Sequence, residues 1–530
     1  MHRAVLCLIC LLALALVGSD HPFARAQTDE RLVTTPAELE AAIADAEPGD
    51  VILMQDGVWK DIDILFDSSG LPDRPITLKA QTRGKVVISG SSSVQIAGDY
   101  LVVDGLYFKD GYSSRSLHLI EFRHGQKHAN HSRLTNIVVS GFNKDPKKDT
   151  DDVWIGLFGT YNRVDHSLFL NKKPESSTLM IVWRATADAN YHQIDHNYFR
   201  NINNDGWDGD AAIRIGDGQQ ALSASHTTVE SNIFENMNGI GKIISLKSGG
   251  NLIRNNTFVN AQGSICIRQG NGNIIEGNFI LPTTSTRYTG GILVMGSDTI
   301  IRNNYIQGVR TGGRSAIEVY DGHPDNTPGK GGYYPSKNIS ISNNTFVDND
   351  KLFIIGQNYD VAQNIVVPVE NISFKDNAVL GNGSKVPLMN ILDRPINPEY
   401  DGNLFYNANF LGIEHIPGIR NADPQLKLGE DGLYYYAESS PLKNNIKSAP
   451  LKRTEVGPEW AKAEWGEFGI EDKPYVEQPF KDVNAVSIDE TEISEIAPVT
   501  SKNYYSYIFG VIVIIAMGIL LIAKKRTIRK

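Results

Sequence analysis

One short pattern recurs along the middle of this chain and restricts its fold more than any other feature. An apolar residue is followed by a polar stretch, often containing Asn, and then by an aromatic or aliphatic residue. The copies are Val164-Asp165-His166-Ser167-Leu168-Phe169, Ile194-Asp195-His196-Asn197-Tyr198-Phe199, Val229-Glu230-Ser231-Asn232-Ile233-Phe234 and Ile253-Arg254-Asn255-Asn256-Thr257-Phe258. They continue as Ile275-Glu276-Gly277-Asn278-Phe279-Ile280, Ile301-Arg302-Asn303-Asn304-Tyr305-Ile306 and Ile341-Ser342-Asn343-Asn344-Thr345-Phe346. The shared polar position falls at 167, 197, 232, 256, 278, 304 and 344, in steps of 30, 35, 24, 22, 26 and 40. The shortest steps approach one turn of a right-handed parallel β-helix with three short strands, and the longer ones carry loop insertions. One such coil cannot bury its apolar face alone, so coils stack and share a continuous core. Asn tolerates the left-handed conformation at a tight corner, and its amide can bond the next Asn above. The expected fold is therefore all-β, a right-handed parallel β-helix (a solenoid) with Asn ladders in its bends.

The open ends of a solenoid need covering. Thr35 to Ile43 reads as a short amphipathic helix that caps the N-terminal end, and Pro48-Gly49-Asp50 as a turn into a strand, Val51-Ile52-Leu53. Beyond residue 400 the Asn pattern weakens, and Pro424, Pro441 and Pro458 suggest irregular coils closing the far end.

Both termini are apolar. His2 and Arg3, the apolar stretch Ala4 to Val17 and Ala24-Arg25-Ala26 have the layout of a secretory signal over residues 1–26. Of three cysteines, Cys7 and Cys10 lie inside it, leaving Cys266 in a mature chain that a large core must hold without disulfides. Near the other end, Tyr507 to Ala523 forms a run long enough to span as a helix, about 25 Å. Tyr504, Tyr505 and Tyr507 flank it on one side, and Lys524, Lys525, Arg526, Arg529 and Lys530 on the other. This implies a single C-terminal transmembrane helix within 504–530, with a basic cytoplasmic tail and the body outside. Residues 463–503 read as an acidic, solvated stalk, leaving 27–462 as the folded domain.

The 51 basic and 61 acidic side chains give a formal charge of −10, which argues against a nonspecific nucleic-acid binder. An acidic polysaccharide remains possible as a ligand, because a basic groove can sit on an acidic body. Two neighbouring coils carry such cations: Gly241-Lys242-Ile243-Ile244-Ser245-Leu246-Lys247-Ser248 and Cys266-Ile267-Arg268-Gln269-Gly270-Asn271-Gly272. Lys247 and Arg268 are 21 residues apart, close to one short coil, so their side chains can emerge as neighbours. Like charges held together lower a lysine pKa and prepare it as a base. By spacing alone, a solvated basic patch on an outer face is the more economical reading.

The chain resembles the family of β-helical polysaccharide lyases that contains chondroitinase B and many alginate lyases (polysaccharide lyase family 6). The resemblance spans roughly residues 31–462. It rests on Tyr100 to Phe108, Asn162 to His166, Ile213-Arg214-Ile215-Gly216, Ile243 to Asn251, Ile267 to Gly272 and Gly457-Pro458-Glu459-Trp460. The resemblance implies β-elimination on a uronate polymer, alginate first and chondroitin or dermatan sulfate second. Lys247 matches the base that takes the C5 proton, and Arg268 the group that assists departure of the C4 oxygen. Many members neutralise the substrate carboxylate with calcium held by one Asn and two Glu. Here those positions align with Asp208, Ile240 and Lys242. One Asp is too few for a calcium site, so the expectation is no cofactor, with Lys242 as the neutralising cation. Two further departures are Gln269, where the family commonly has His, and Leu293, where alginate-cleaving members carry Arg.

Arg214, Gln269, Glu318, Tyr320 and His323 are candidate substrate contacts. Asp205, Asp208 and Asp210 form an Asp/Gly loop that could serve a hydrolase instead. His166 and His196 read as corner residues, and Arg123, His124, Lys127 and His128 as a solvated cationic loop. A non-catalytic carbohydrate-binding solenoid is the third reading.

Overall fold

A computed structural model describes residues 30–143, 153–173, 180–183, 189–203, 211–238, 241–281, 289–310, 314–329, 331–383, 388–408, 416–445, 448–471 and 473–476. Three stacks of short strands run through it, and nearly all their pairings are parallel. The first stack has 14 strands and advances one coil at a time, from Glu30–Val33 through Gln193–Asp195 and Ile274–Glu276 to Glu399–Asp401. After the first, which leads into a helix, its strands turn a tight corner into a strand of the second stack, as Gln193–Asp195 does into Tyr198–Asn203. A longer loop then leads to the third stack, as in Ala211–Ile215. The second and third stacks join through one long strand, Val86–Asp99, which pairs with Gly57–Lys60 at one end and with Asp63–Asp67 at the other. The result is a parallel β-helix.

The corner between the first and second stacks explains the recurring pattern. Ile194 and Phe199 point into the core, while Asn197 is fully buried inside the bend. Its amide donates to the Asn232 side chain at 3.1 Å, and its backbone N–H donates to the same oxygen at 2.9 Å. The arrangement repeats from Asn232 to Asn256, to Asn278, to Asn304, to Asn344, to Asn377 and to Asn403. Ser167 joins at the other end through its N–H to Asn197. The sequence separations of these bonds are the repeat steps of the sequence, and two further rungs lie beyond them.

The left-handed residue, however, is the one before each ladder position. His166, His196, Ser231, Asn255, Asn303 and Asn343 have φ of 47–56°. The ladder Asn needs ordinary φ to keep its amide pointed inward, so the turn's strain falls on its exposed neighbour. His166 and His196 accordingly stack on each other outside the corner, at 4.9 Å. Inside, Phe169, Phe199, Phe234 and Phe258 stack ring on ring along the core.

The N-terminal end is covered by a helix, Pro36–Ala44, buried through Leu39, Ala42 and Ile43. Thr35 caps it by accepting from the Glu38 N–H, and the Glu38 carboxylate accepts from the Thr34 N–H in return. A strand, Glu30–Val33, precedes the expected first strand and pairs with it.

The C-terminal part does not simply close the far end. A hairpin, Leu426–Leu428 with Tyr434–Tyr436, is followed by a segment that runs back along the outside of the second stack. That stack has an apolar outer face, including Val138, Leu168, Tyr198 and Ile233, which needs a cover. Val456, Ala461, Trp465 and Ile470 supply it. Arg453 pairs with buried Glu235 at 2.9 Å, and the Trp460 indole donates to the Asn136 carbonyl. Val476 is buried as well, so the packed body continues past residue 462 into the expected stalk. Among the described residues no helix is long and apolar enough to cross a membrane. The expected signal over 1–26, the span over 507–523 and the stalk beyond 476 lie outside the described residues.

Candidate active site

The third stack presents one face to the core and the other outward. In the strand Lys242–Lys247, Ile244 and Leu246 are buried in the core and Lys247 is half-buried on the outer side. The next coil contributes Gly263–Gln269, with Ile265 and Ile267 inward and Arg268 half-buried outward. The pairing slips once between Lys242 and Ile244, runs in register to Leu246 and Ile267, then shifts again, so that Lys247 stands beside Gln269 rather than Arg268. The sequence spacing predicts direct neighbours, whereas the strands place Arg268 at an irregularity, as an extra residue in the ladder. Such bulges re-aim side chains and are frequent beside functional sites.

Lys247 lies in a strongly cationic setting. Burial lowers its pKa first, and Arg214, Lys242 and Arg268 lower it further, while Asp217 opposes them. The candidate residues Arg214, Lys242, Lys247 and Arg268 are thus brought within electrostatic reach of one another. Ile215 pairs with Leu246, which sets Gly216 beside Lys247. Gly216 has φ +84°, and a Cβ there would come within 2.8 Å of the Lys247 carbonyl oxygen, so the close approach requires glycine.

Three other candidates, Gln269, Glu318 and Tyr320, are buried rather than presented at the surface. Gln269 is 3% exposed and Glu318 is 4% exposed. Glu318 accepts from the Ser315 N–H and the Tyr320 hydroxyl and pairs with Arg314, so its carboxylate is committed within the fold. Tyr320 is buried too, and its burial and Glu318 push its hydroxyl pKa up. Leu293 follows Cys266 in register and joins Cys266, Met295 and Tyr320 in a small apolar cluster. The departure at Leu293 is therefore part of a packed apolar patch beside Arg268. His323 is half-buried and its Nδ1 lies 3.1 Å from the Asn364 carbonyl oxygen.

Several residues at this site carry no signal in the sequence pattern. Asp217 caps a short 3-10 turn, Gly218–Gln220, and faces Lys247 electrostatically. Trp183 lies under Arg214 at 5.5 Å and stacks on Phe158, and Arg123 sits over the Phe158 ring at 4.0 Å. Its indole N–H donates to His118. Arg123, expected in a solvated loop, is instead tied to buried Glu121. Tyr333 lies under the Arg268 guanidinium at 4.8 Å.

Of the three positions where the family resemblance implies calcium ligands, Lys242 lies among the described residues, and an ammonium there repels a divalent cation. Among the described residues no group of three His, Cys, Asp or Glu side chains is arranged so that it could hold a metal ion. Asp208, Ile240 and the Asp205–Asp210 loop lie outside the described residues.

The sequence profile of the Chondroitinase B family matches residues 33–383. Among solved structures, the PL6 family alginate lyase AlyGC aligns with a TM-score of 0.72 at 33% identity, covering 85% of this chain and 60% of its own. A mannuronic acid specific polysaccharide family 6 lyase from human gut microbiota aligns with a TM-score of 0.66 at 26% identity, over 83% of this chain and 98% of its own. The PL6 family polysaccharide lyase Pedsa3628 from Pseudopedobacter saltans gives 0.64 at 26%, over 81% and 99%. This chain spans about 60% of the length of AlyGC. No curated protein sequence matches it.

Proposed function

Because the chain belongs to the Chondroitinase B family of β-helical polysaccharide lyases, we propose that it cleaves a uronate polymer, alginate in the first place, by β-elimination. The observation that carries this reading is the half-buried Lys247, with its pKa lowered by burial and by Arg214, Lys242 and Arg268. A neutral amine is what the first step needs. Lys247 removes the C5 proton beside the carboxylate, and the C5 electron pair forms the C4–C5 double bond. The C4–O bond breaks, Arg268 stabilises the departing oxygen by hydrogen bonding, and that oxygen takes its proton from solvent water. The products are a new reducing end and a 4,5-unsaturated uronate.

The C5 proton is acidic enough only when the neighbouring carboxylate is neutralised. Lys242 supplies a fixed cation in the same electrostatic neighbourhood as Lys247, and in this reading it does that work without a metal. Arg214 shares the carboxylate field. The neighbouring solved structures support an alginate substrate over a glycosaminoglycan, since they include alginate lyases and a mannuronic acid specific enzyme. In this reading the body works outside the cytoplasm, exported by the expected signal over residues 1–26 and anchored through the apolar run Tyr507 to Ala523. Protease treatment of intact cells tests that placement.

The deciding experiment measures ultraviolet absorbance of the unsaturated product on polymannuronate, polyguluronate, mixed alginate and dermatan sulfate, with and without chelator. A rise on alginate that survives chelator and disappears in Lys247→Ala is the expected result. Loss of the rise with chelator and its return with calcium would overturn the role of Lys242. Cleavage without a rise would indicate hydrolysis, and binding without cleavage a carbohydrate-binding solenoid.

A further inference from the structure

The residues between the strand Ile317–Tyr320 and the strand Lys337–Ser342 do more than connect two coils. They double back toward the earlier coils. The Gly329 N–H donates to the Gly218 carbonyl at 2.6 Å, and Gly218 follows the strand Ala211–Ile215. Four coil steps separate the two third-stack strands, or about 19 Å at the usual strand spacing. The two coils that carry Lys247 and Arg268 lie between them. Near its base this connection is firmly held. The His323 N–H donates to the Tyr333 carbonyl, Tyr334 is 1% exposed, and Ser297 donates to the Pro335 carbonyl.

Arg268 meets this connection directly. Its Nη1 donates to the Gly332 carbonyl at 2.6 Å and lies 3.2 Å from the Met295 sulfur. Its guanidinium sits over the Tyr333 ring at 4.8 Å. Tyr333 in turn stacks on Tyr320, with centroids 5.7 Å apart and planes 6° from parallel. Tyr320 is fixed by its hydroxyl, which donates to Glu318 and accepts from Arg314. The guanidinium is therefore clamped from a coil two steps further on, through a ring stack and a carbonyl. Arginine otherwise keeps about 2 kcal/mol of rotamer freedom.

Resting on the lyase reading above, we propose that Tyr333 and the Gly332 carbonyl form a strap that positions Arg268, with Tyr333 as the positioning residue. The buried Glu318–Tyr320 pair is then the strap's footing rather than a substrate contact. A guanidinium aimed in advance at the departing oxygen lowers the barrier without changing how the polymer is held.

The test compares Tyr333→Ala, Tyr333→Phe, Arg268→Ala and the Tyr333→Ala/Arg268→Ala double variant in the full chain. Tyr333→Ala is expected to lower kcat on the order of 10- to 100-fold with KM within about threefold. Tyr333→Phe, which keeps the ring, retains most of the rate. The double variant is no slower than Arg268→Ala alone, because residues in one unit are not additive. Unchanged kcat in Tyr333→Ala, or two losses that multiply, would overturn the proposal. Hydrogen exchange at the Gly329 amide gives a readout independent of turnover. Arg268→Ala should speed it by about tenfold or more if guanidinium and strap hold each other, and unchanged exchange overturns that link. If the wild-type chain eliminates no uronate polymer, the lyase reading fails by itself, and the exchange measurement alone decides the clamp.

Discussion

At the scale of single residues, the chemistry turns on how far Lys247 can be kept neutral. Burial and three cations stabilise the uncharged amine, so the rising limb of kcat/KM against pH should lie below the ordinary lysine value of 10.5. Removing one cation reverses part of that effect. Arg214→Ala should raise the Lys247 pKa and move the limb to higher pH, and a pH–rate profile of the two proteins checks the sign. A limb that moved downward would place Arg214 outside the lysine's field. Lys247→Ala should lose on the order of 10²- to 10⁴-fold in kcat, the usual worth of a positioned base. Lys242→Glu should be damaging twice over, since it removes the neutralising cation and stabilises the protonated amine.

Individual elements depend on groups that the coil stacking buries. In the Asn ladder, the Asn278 oxygen accepts from both the N–H and the amide of Asn256, and its own amide donates onward to Asn304. Asn278→Ala orphans donors and acceptors inside a dry corner, so it should cost at least about 2 kcal/mol in denaturant unfolding. Asp321, at the end of the strand Ile317–Tyr320, is the opposite case. Burial first, and Asp393 second, push its carboxyl up to about 7, against the pull of the Val369 N–H. One of its oxygens has no partner. A carboxyl whose folded pKa lies above its unfolded value of 3.8 contributes its full stability below that value and loses it as pH rises through about 7. Melting temperature should therefore decline between pH 4 and 7 more steeply in the wild type than in Asp321→Asn. Equal slopes would mean that Asp321 ionises in the folded state at its ordinary pH.

For the whole molecule, the returning C-terminal segment is part of the fold. It shields an apolar sheet face that would otherwise be exposed, and its Arg453 neutralises a buried carboxylate. A chain stopped after Val476 should melt like the full chain, whereas one stopped after Pro450 should lose thermal stability and associate through the uncovered face. Arg453→Ala alone should cost about 3–5 kcal/mol, because it leaves Glu235 charged and buried without its partner. If the shorter truncation melted unchanged, the segment would be ornament rather than cover.

The sequence by itself determined the solenoid, down to the separations of its ladder bonds. Each coil repeats the same local problem, an inward apolar residue, a tight corner and a buried amide, and a local solution leaves a periodic trace. It also indicated Lys247 and Arg268 as neighbours, because cations on adjacent coils stack by the same rule, whereas the structure adds Arg214 and Lys242 to the same electrostatic field. The tertiary structure alone decided what happens between coils. The register shift that pairs Lys247 with Gln269, the strap from Tyr333 to Arg268, the Gly329–Gly218 bond and the return of Trp460 and Trp465 have no period. They are contacts between loops and faces far apart in the chain, made where the stack leaves a side chain unheld or an apolar face uncovered. Nothing in a local repeat can specify such a partner, since it depends on which surfaces the finished stack brings within reach.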